Sequence, residues 1–168
     1  MQDIRLLKIF FGMVIGFNRG EAIGMAVWQF EFYTIPKGRI KFEGSEDDIL
    51  SWESNTIPYD FESKLSQIMS ITNSYNNVFI YGESDKTCIH LLKKQGAIIE
   101  ILCKLDLRNL SKELIIKMIE LIKSISGDIY VDGVIFDPEF WDIASMIRNS
   151  KAAQFCINPT GYLEEYER

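Results

Sequence analysis

The residues able to do chemistry are few. The 168-residue chain holds one histidine, His90, and three cysteines, Cys88, Cys103 and Cys156. A lone histidine excludes any metal site built on two imidazoles. No two cysteines stand at CxxC spacing, so neither a zinc site nor a disulfide framework is expected. His90 with a cysteine, or with a serine and a carboxylate, is the one nucleophilic arrangement left open. The GxSxG turn that presents a catalytic serine is absent, since Gly44-Ser45 and Ser126-Gly127 do not fit its pattern. There is no glycine-rich phosphate loop. Carboxylates are plentiful, at Glu46-Asp47-Asp48, at Glu83 and Asp85, and at Glu164-Glu165. General acids and bases need a cleft that moves their pKa. These carboxylates fall in stretches that read as loops and a tail, where charge is solvated. Glu83-Ser84-Asp85 lacks the long ligand loop of a calcium site. Asp106 and Arg108, two apart on one strand, suit a ladder salt bridge or, alternatively, recognition of a ligand carboxylate by the guanidinium. No catalytic residue, metal or cofactor is therefore assigned.

Charge narrows the partners. Lys plus Arg is 18 and Asp plus Glu is 24, a net charge of −6, and the pI is about 4.9. Phosphate binding needs the opposite balance, and the longest basic run is the pair Lys93-Lys94, so nucleic acid is excluded as a partner. An acidic surface fits a basic protein, and it also fits plain solubility. Apolar residues at 47% and charged residues at 25% are ordinary for a globular domain, and the length favours one. Each cysteine stands among apolar neighbours, which points to reduced, buried thiols in a cytoplasmic protein.

The elements that must position these groups start after an unusual segment. Residues 1–24 contain the apolar run Ile9 to Phe17, too short for a membrane span. It has the length of a signal-peptide core, but Lys8 interrupts the apolar stretch and Asp3 lowers the charge ahead of it. Its Gly12, Gly16, Gly20 and Gly24 spacing resembles repeated GxxxG, which here reads as chance. A third reading starts from Arg19-Gly20-Glu21, which AGA-GGA-GAA can encode. That is a purine-rich ribosome-binding sequence just ahead of Met25, the natural start on this reading. Residues 1–24 are thus an N-terminal extension, and 25–168 a single domain.

Within that domain, Val27 to Ile35 alternates with period two, Trp28, Phe30 and Phe32 against Gln29, Glu31 and Tyr33, and predicts a half-buried strand. Pro36-Lys37-Gly38 turns it into a second strand, Arg39 to Glu43. Gly44 to Pro58 reads as an acidic loop. Asp60 caps a helix with Phe61, Leu65, Ile68 and Met69 on one face, ended by Asn73 to Asn77. Val78–Tyr81 and Thr87–Leu92 form a hairpin. Ile99, Ile101, Cys103, Leu105 and Leu107 mark the clearest strand, its other face carrying Glu100, Lys104, Asp106 and Arg108 towards solvent. Ser111 caps the best helix, with an apolar stripe from Leu114 to Ile125 and a stop at Gly127. Asp128 to Phe136 adds a strand. Asp137-Pro138 opens a helix carrying Phe140, Trp141, Ala144 and Ile147, and Asn158 to Gly161 is a turn. The expected fold is α+β, a mainly antiparallel sheet of about five strands with three helices.

One combination of features resembles a group of small bacterial proteins that confer immunity to secreted or contact-delivered toxins, the polymorphic and contact-dependent inhibition systems. Its parts are the opening strand Trp28 to Pro36, Tyr81-Gly82 before a polar turn, the strand end Lys104-Leu105-Asp106-Leu107-Arg108, the amphipathic helix, the run Ser150 to Phe155, and Asn158-Pro159 followed by Tyr162-Leu163. The resemblance spans about Trp28 to Leu163. It implies a non-enzymatic protein that blocks a cognate toxin domain. Many such toxins are basic nucleases, whose groove an acidic surface can cover. The partner-binding residues it points to are Glu43, Glu46, Asp47, Asp48 and Glu53, then Glu83 and Asp85. The alternatives are a small enzyme using His90 or a cysteine, and an assembly or adaptor domain using the aromatic strand or the tail.

Overall fold

The computed structural model describes residues 26–39 and 45–166. Their strands form one antiparallel sheet of seven in the order β2-β3-β4-β5-β1-β6-β7. The strands are β1 (Gln29–Pro36), β2 (Ile71–Tyr75), β3 (Val78–Gly82), β4 (Cys88–Lys94), β5 (Ala97–Asp106), β6 (Gly127–Val131) and β7 (Val134–Phe136). Six helices accompany them: α1 (Glu46–Leu50), α2 (Phe61–Ile68), α3 (Lys112–Ser124), α4 (Phe140–Arg148), α5 (Lys151–Ile157) and α6 (Pro159–Tyr166). The α+β class and the antiparallel sheet are as expected. Seven strands and six helices replace the five and three, because short elements carry too few residues to show a period. The possible export signal, the GxxxG spacing and the strand residues Ile40 to Glu43 lie outside the described residues.

Strand alternation divides the sheet into two faces. Phe30, Phe32 and Thr34 of β1 pair with Leu105, Cys103 and Ile101 of β5, and Ile89 and Leu91 of β4 pair with Cys103 and Ile101. These side chains share one face. Phe61 and Leu65 of α2, Met118 and Ile122 of α3, Ile143 of α4 and Ala152 of α5 pack in the same core. The opposite face carries Ile35 and Tyr130, which α1 covers with Ile49 and Leu50. It also carries Cys88, His90, Lys104 and Asp106, all buried. The charged face of β5 is therefore not solvated as its alternation implied. Both faces of the central strands are covered, and charges there require partners.

Several local readings change for identifiable reasons. Among the described residues, the partners of β1 are β5 and β6. The acidic loop contains α1 and the fully buried Trp52, whose indole N–H donates to the Thr34 carbonyl at 2.8 Å. Asp60 pairs with Lys64 at 2.8 Å and makes no side-chain cap. The polar stretch after α2 is the outer strand β2, joined to β3 by Asn76 and Asn77 at positive φ (46° and 66°). Ser111 does cap α3, accepting from the Leu114 N–H at 3.1 Å. Gly127, however, is not the helix stop. Ser126 takes the left-handed turn (φ 54°), and Gly127 opens β6 where a Cβ would sit 2.9 Å from the Thr34 methyl. The expected strand 128–136 is a hairpin, β6–β7, turned at Asp132-Gly133 (φ 47° and 83°), as a type I′ turn requires. Helix α4 begins at Phe140 after Glu139, two residues beyond the Asp137-Pro138 start. Asn158-Pro159 opens α6, with Asn158 accepting from the Gly161 N–H at 3.1 Å, so the expected turn is a helix N-terminus.

Candidate functional site

The acidic residues picked out in the sequence do not form one surface. The seven residues of β4, roughly 20 Å at strand rise, lie between Glu53 and the turn that carries Glu83 and Asp85. Glu53 pairs with Lys94 at the far end of that strand (2.6 Å), whereas Glu83 and Asp85 precede its start. Glu43 lies outside the described residues.

Over β1 and β6, α1 presents Glu46, Asp47 and Asp48 on an exposed turn above the buried pair Ile49 and Leu50. The turn is fixed from three sides. The Asp48 carboxylate accepts from Ser45 N–H (3.2 Å) and Ser45 Oγ (2.9 Å). Tyr130 donates its hydroxyl to Glu46 at 3.0 Å. Burial, then this bond to a carboxylate, push the Tyr130 phenol above its ordinary pKa. Arg39 donates to the carbonyls of Asp48 (3.1 Å) and Ser51 (2.8 Å), which terminates the helix with a cation. The result is a held patch of negative charge.

At the β3–β4 end of the sheet, Asp106 and Glu83 have cationic partners, and the Asp85 side chain is exposed. Glu83 pairs with Lys86 at 2.8 Å. The Asp85 carbonyl accepts from the Trp28 indole (3.0 Å) and from Arg108 (3.1 Å). The Arg108 guanidinium stacks 4.0 Å from the Trp28 ring and binds both oxygens of buried Asp106 (2.8 and 2.9 Å). Burial opposes ionisation of Asp106, but the Arg108 bonds outweigh it and hold the carboxyl below its usual range. Asp106 and Arg108 are thus a salt bridge that closes the sheet end. An open hollow of about 390 Å³ lies beside them, bordered by Ser70, Thr72, Thr87, Asn109 and Leu114 as well as Glu83 and Lys86.

A third group, on the buried second face, brings a cysteine beside His90, an arrangement the sequence left open, and adds an ion pair it did not show. Cys88 Sγ lies 3.5 Å from His90 Nε2. Across the ladder, Lys104 Nζ meets Glu31 Oε1 at 2.7 Å. Cys88 and His90 share a face because they are two apart on a strand, which the sequence allowed. That Lys104 and Glu31 join them depends on register, which it did not. Burial pushes the Cys88 thiol up to about 11 despite Lys104. Burial, then Lys104, lower His90 to about 4. At neutral pH the pair is thiol and neutral imidazole, the reverse of the thiolate–imidazolium pair that makes a cysteine nucleophile. Cys103, on the core face, is pushed up to about 12 by burial.

Among the described residues no group of three His, Cys, Asp or Glu is placed to hold a metal ion, and no helix is long and apolar enough to cross a membrane. Compared with known proteins, the chain matches no family model, no curated protein and no solved structure.

Proposed function

We propose that this protein is a bacterial immunity protein that binds and neutralises a cognate toxin domain in the cytoplasm, without catalysis. The observation that carries the reading is α1. Three carboxylates stand on an exposed turn whose geometry is fixed by Ser45, Tyr130 and Arg39. Preorganised charge loses little freedom on binding and speeds encounter with a basic surface such as a nuclease groove. Glu46, Asp47 and Asp48 form the contact, with Glu53 at its margin. We place Glu83 and Asp85 outside this contact, Glu83 being paired with Lys86.

The test is capture of the tagged protein from its host at low salt, with the captured chains identified and assayed. A toxin domain recovered in near-equal amount, and inhibited by the wild-type protein, is the expected result. A Glu46→Lys, Asp47→Lys variant that captures and inhibits equally well would remove α1 from the contact.

A second reading, a small enzyme, has one observation in its favour, the 3.5 Å approach of Cys88 to His90. The protonation states of both groups weigh against it. Alkylation of Cys88 by iodoacetamide in the folded protein, at a rate lost in His90→Ala, would revive it.

A further inference from the structure

The two outer strands of the sheet meet solvent differently. β7 has three residues, too few to template another strand. β2 has five, all exposed, with Ile71 and Tyr75 at 50% and 55%. It carries neither charge nor proline, the usual deterrents to edge pairing. In a chain of net charge −6, this uncharged strip is where a second copy meets least repulsion. An antiparallel β2–β2 pairing satisfies two-fold symmetry with no further partner.

Two features stand against that pairing. The register shifts between Ile71 and Asn73, so Thr72 sits in a bulge, and its hydroxyl turns to the carbonyls of Ile80 and Gly82. Bulges twist an edge away from a flat approach. Next to it, Asn73 Oδ1 accepts the Ser74 backbone N–H at 2.8 Å. The strand thereby spends a main-chain donor on its own side chain, and the amide stands where an incoming carbonyl would have to bind.

We propose that Asn73 and the Thr72 bulge are an edge guard that keeps β2 from pairing with a second copy of the chain. Sedimentation equilibrium on the full chain tests this. The wild type should keep one mass across the concentration range. In Thr72→Val, Asn73→Val the weight-average mass should rise with concentration towards twice the monomer mass, with Asn73→Val alone rising less. Adding Ser74→Lys to the double variant should restore the monomer by charging the edge. Far-UV circular dichroism and the Tm of each variant establish that it is folded. A folded double variant that stays monomeric overturns the proposal. So does a dimer that survives Ser74→Lys, which would place self-association elsewhere, and so does a wild type that already dimerises through β2.

Discussion

The two ends of the sheet carry similar carboxylates and use them in opposite ways. At the β3–β4 turn, Asp106 is buried and bound by Arg108, Glu83 by Lys86, and the Asp85 carbonyl by Trp28 and Arg108. At α1, neutral hydroxyls and backbone hold two carboxylates in place. Counting acids cannot separate the two. What separates Asp106 and Glu83 from Glu46 and Asp48 is whether the side-chain partner is a cation or a neutral hydroxyl. The first arrangement ties a carboxylate into the fold, and the second orients one at the surface.

The largest expected effect tests the first end. Arg108→Ala leaves the buried Asp106 without its cation and removes the guanidinium from the Trp28 ring, so urea unfolding should show a loss of about 3 kcal/mol. A loss under about 1 kcal/mol would mean that the end is not closed by this pair.

Next comes a pH effect between the ends. The unfolded His90 imidazole takes a proton near its model value of 6.5, the folded one only near 4. In that window the unfolded state binds more protons, so stability falls as pH falls, by about 1.4 kcal/mol per unit at most. His90→Gln should flatten the slope between those two values. An unchanged slope would show that the ring is solvated.

A smaller effect is expected at α1. Tyr130→Phe removes the hydrogen bond to Glu46 and should cost about 1 kcal/mol, while weakening capture of the partner because Glu46 is no longer aimed. Full capture would show that the aim of Glu46 is unimportant. The smallest effect is at the exposed Glu83–Lys86 pair. Glu83→Ala should leave both Tm and capture unchanged, and a loss of capture would move the contact to that turn.

Much of this arrangement was legible in the sequence and some was not. The alternation of β1 and β5, the Ser111 cap and the polar turn between β3 and β4 each follow from local rules, and the structure keeps them. Helix α1 was hidden because five residues hold no repeat. Its only signals were Ser45 three residues before Asp48 and the adjacent apolar pair Ile49-Leu50. β2 was hidden because an outer strand exposed on all five residues has no apolar face to alternate. The burial of Lys104 and Asp106 could not be read because it depends on what covers the second face, which is tertiary information. For the same reason the sequence did not show that Glu53 meets Lys94 at the end of β4 while Glu83 and Asp85 precede its start.

The most direct measurement compares capture from the host by two charge-reversed proteins, Glu46→Lys, Asp47→Lys and Glu83→Lys, Asp85→Lys, each shown to be folded. The account predicts that the first loses the toxin domain and the second retains it at the wild-type level. Retention by both, loss by the second alone, or no toxin domain captured even by the wild type at low salt would contradict it.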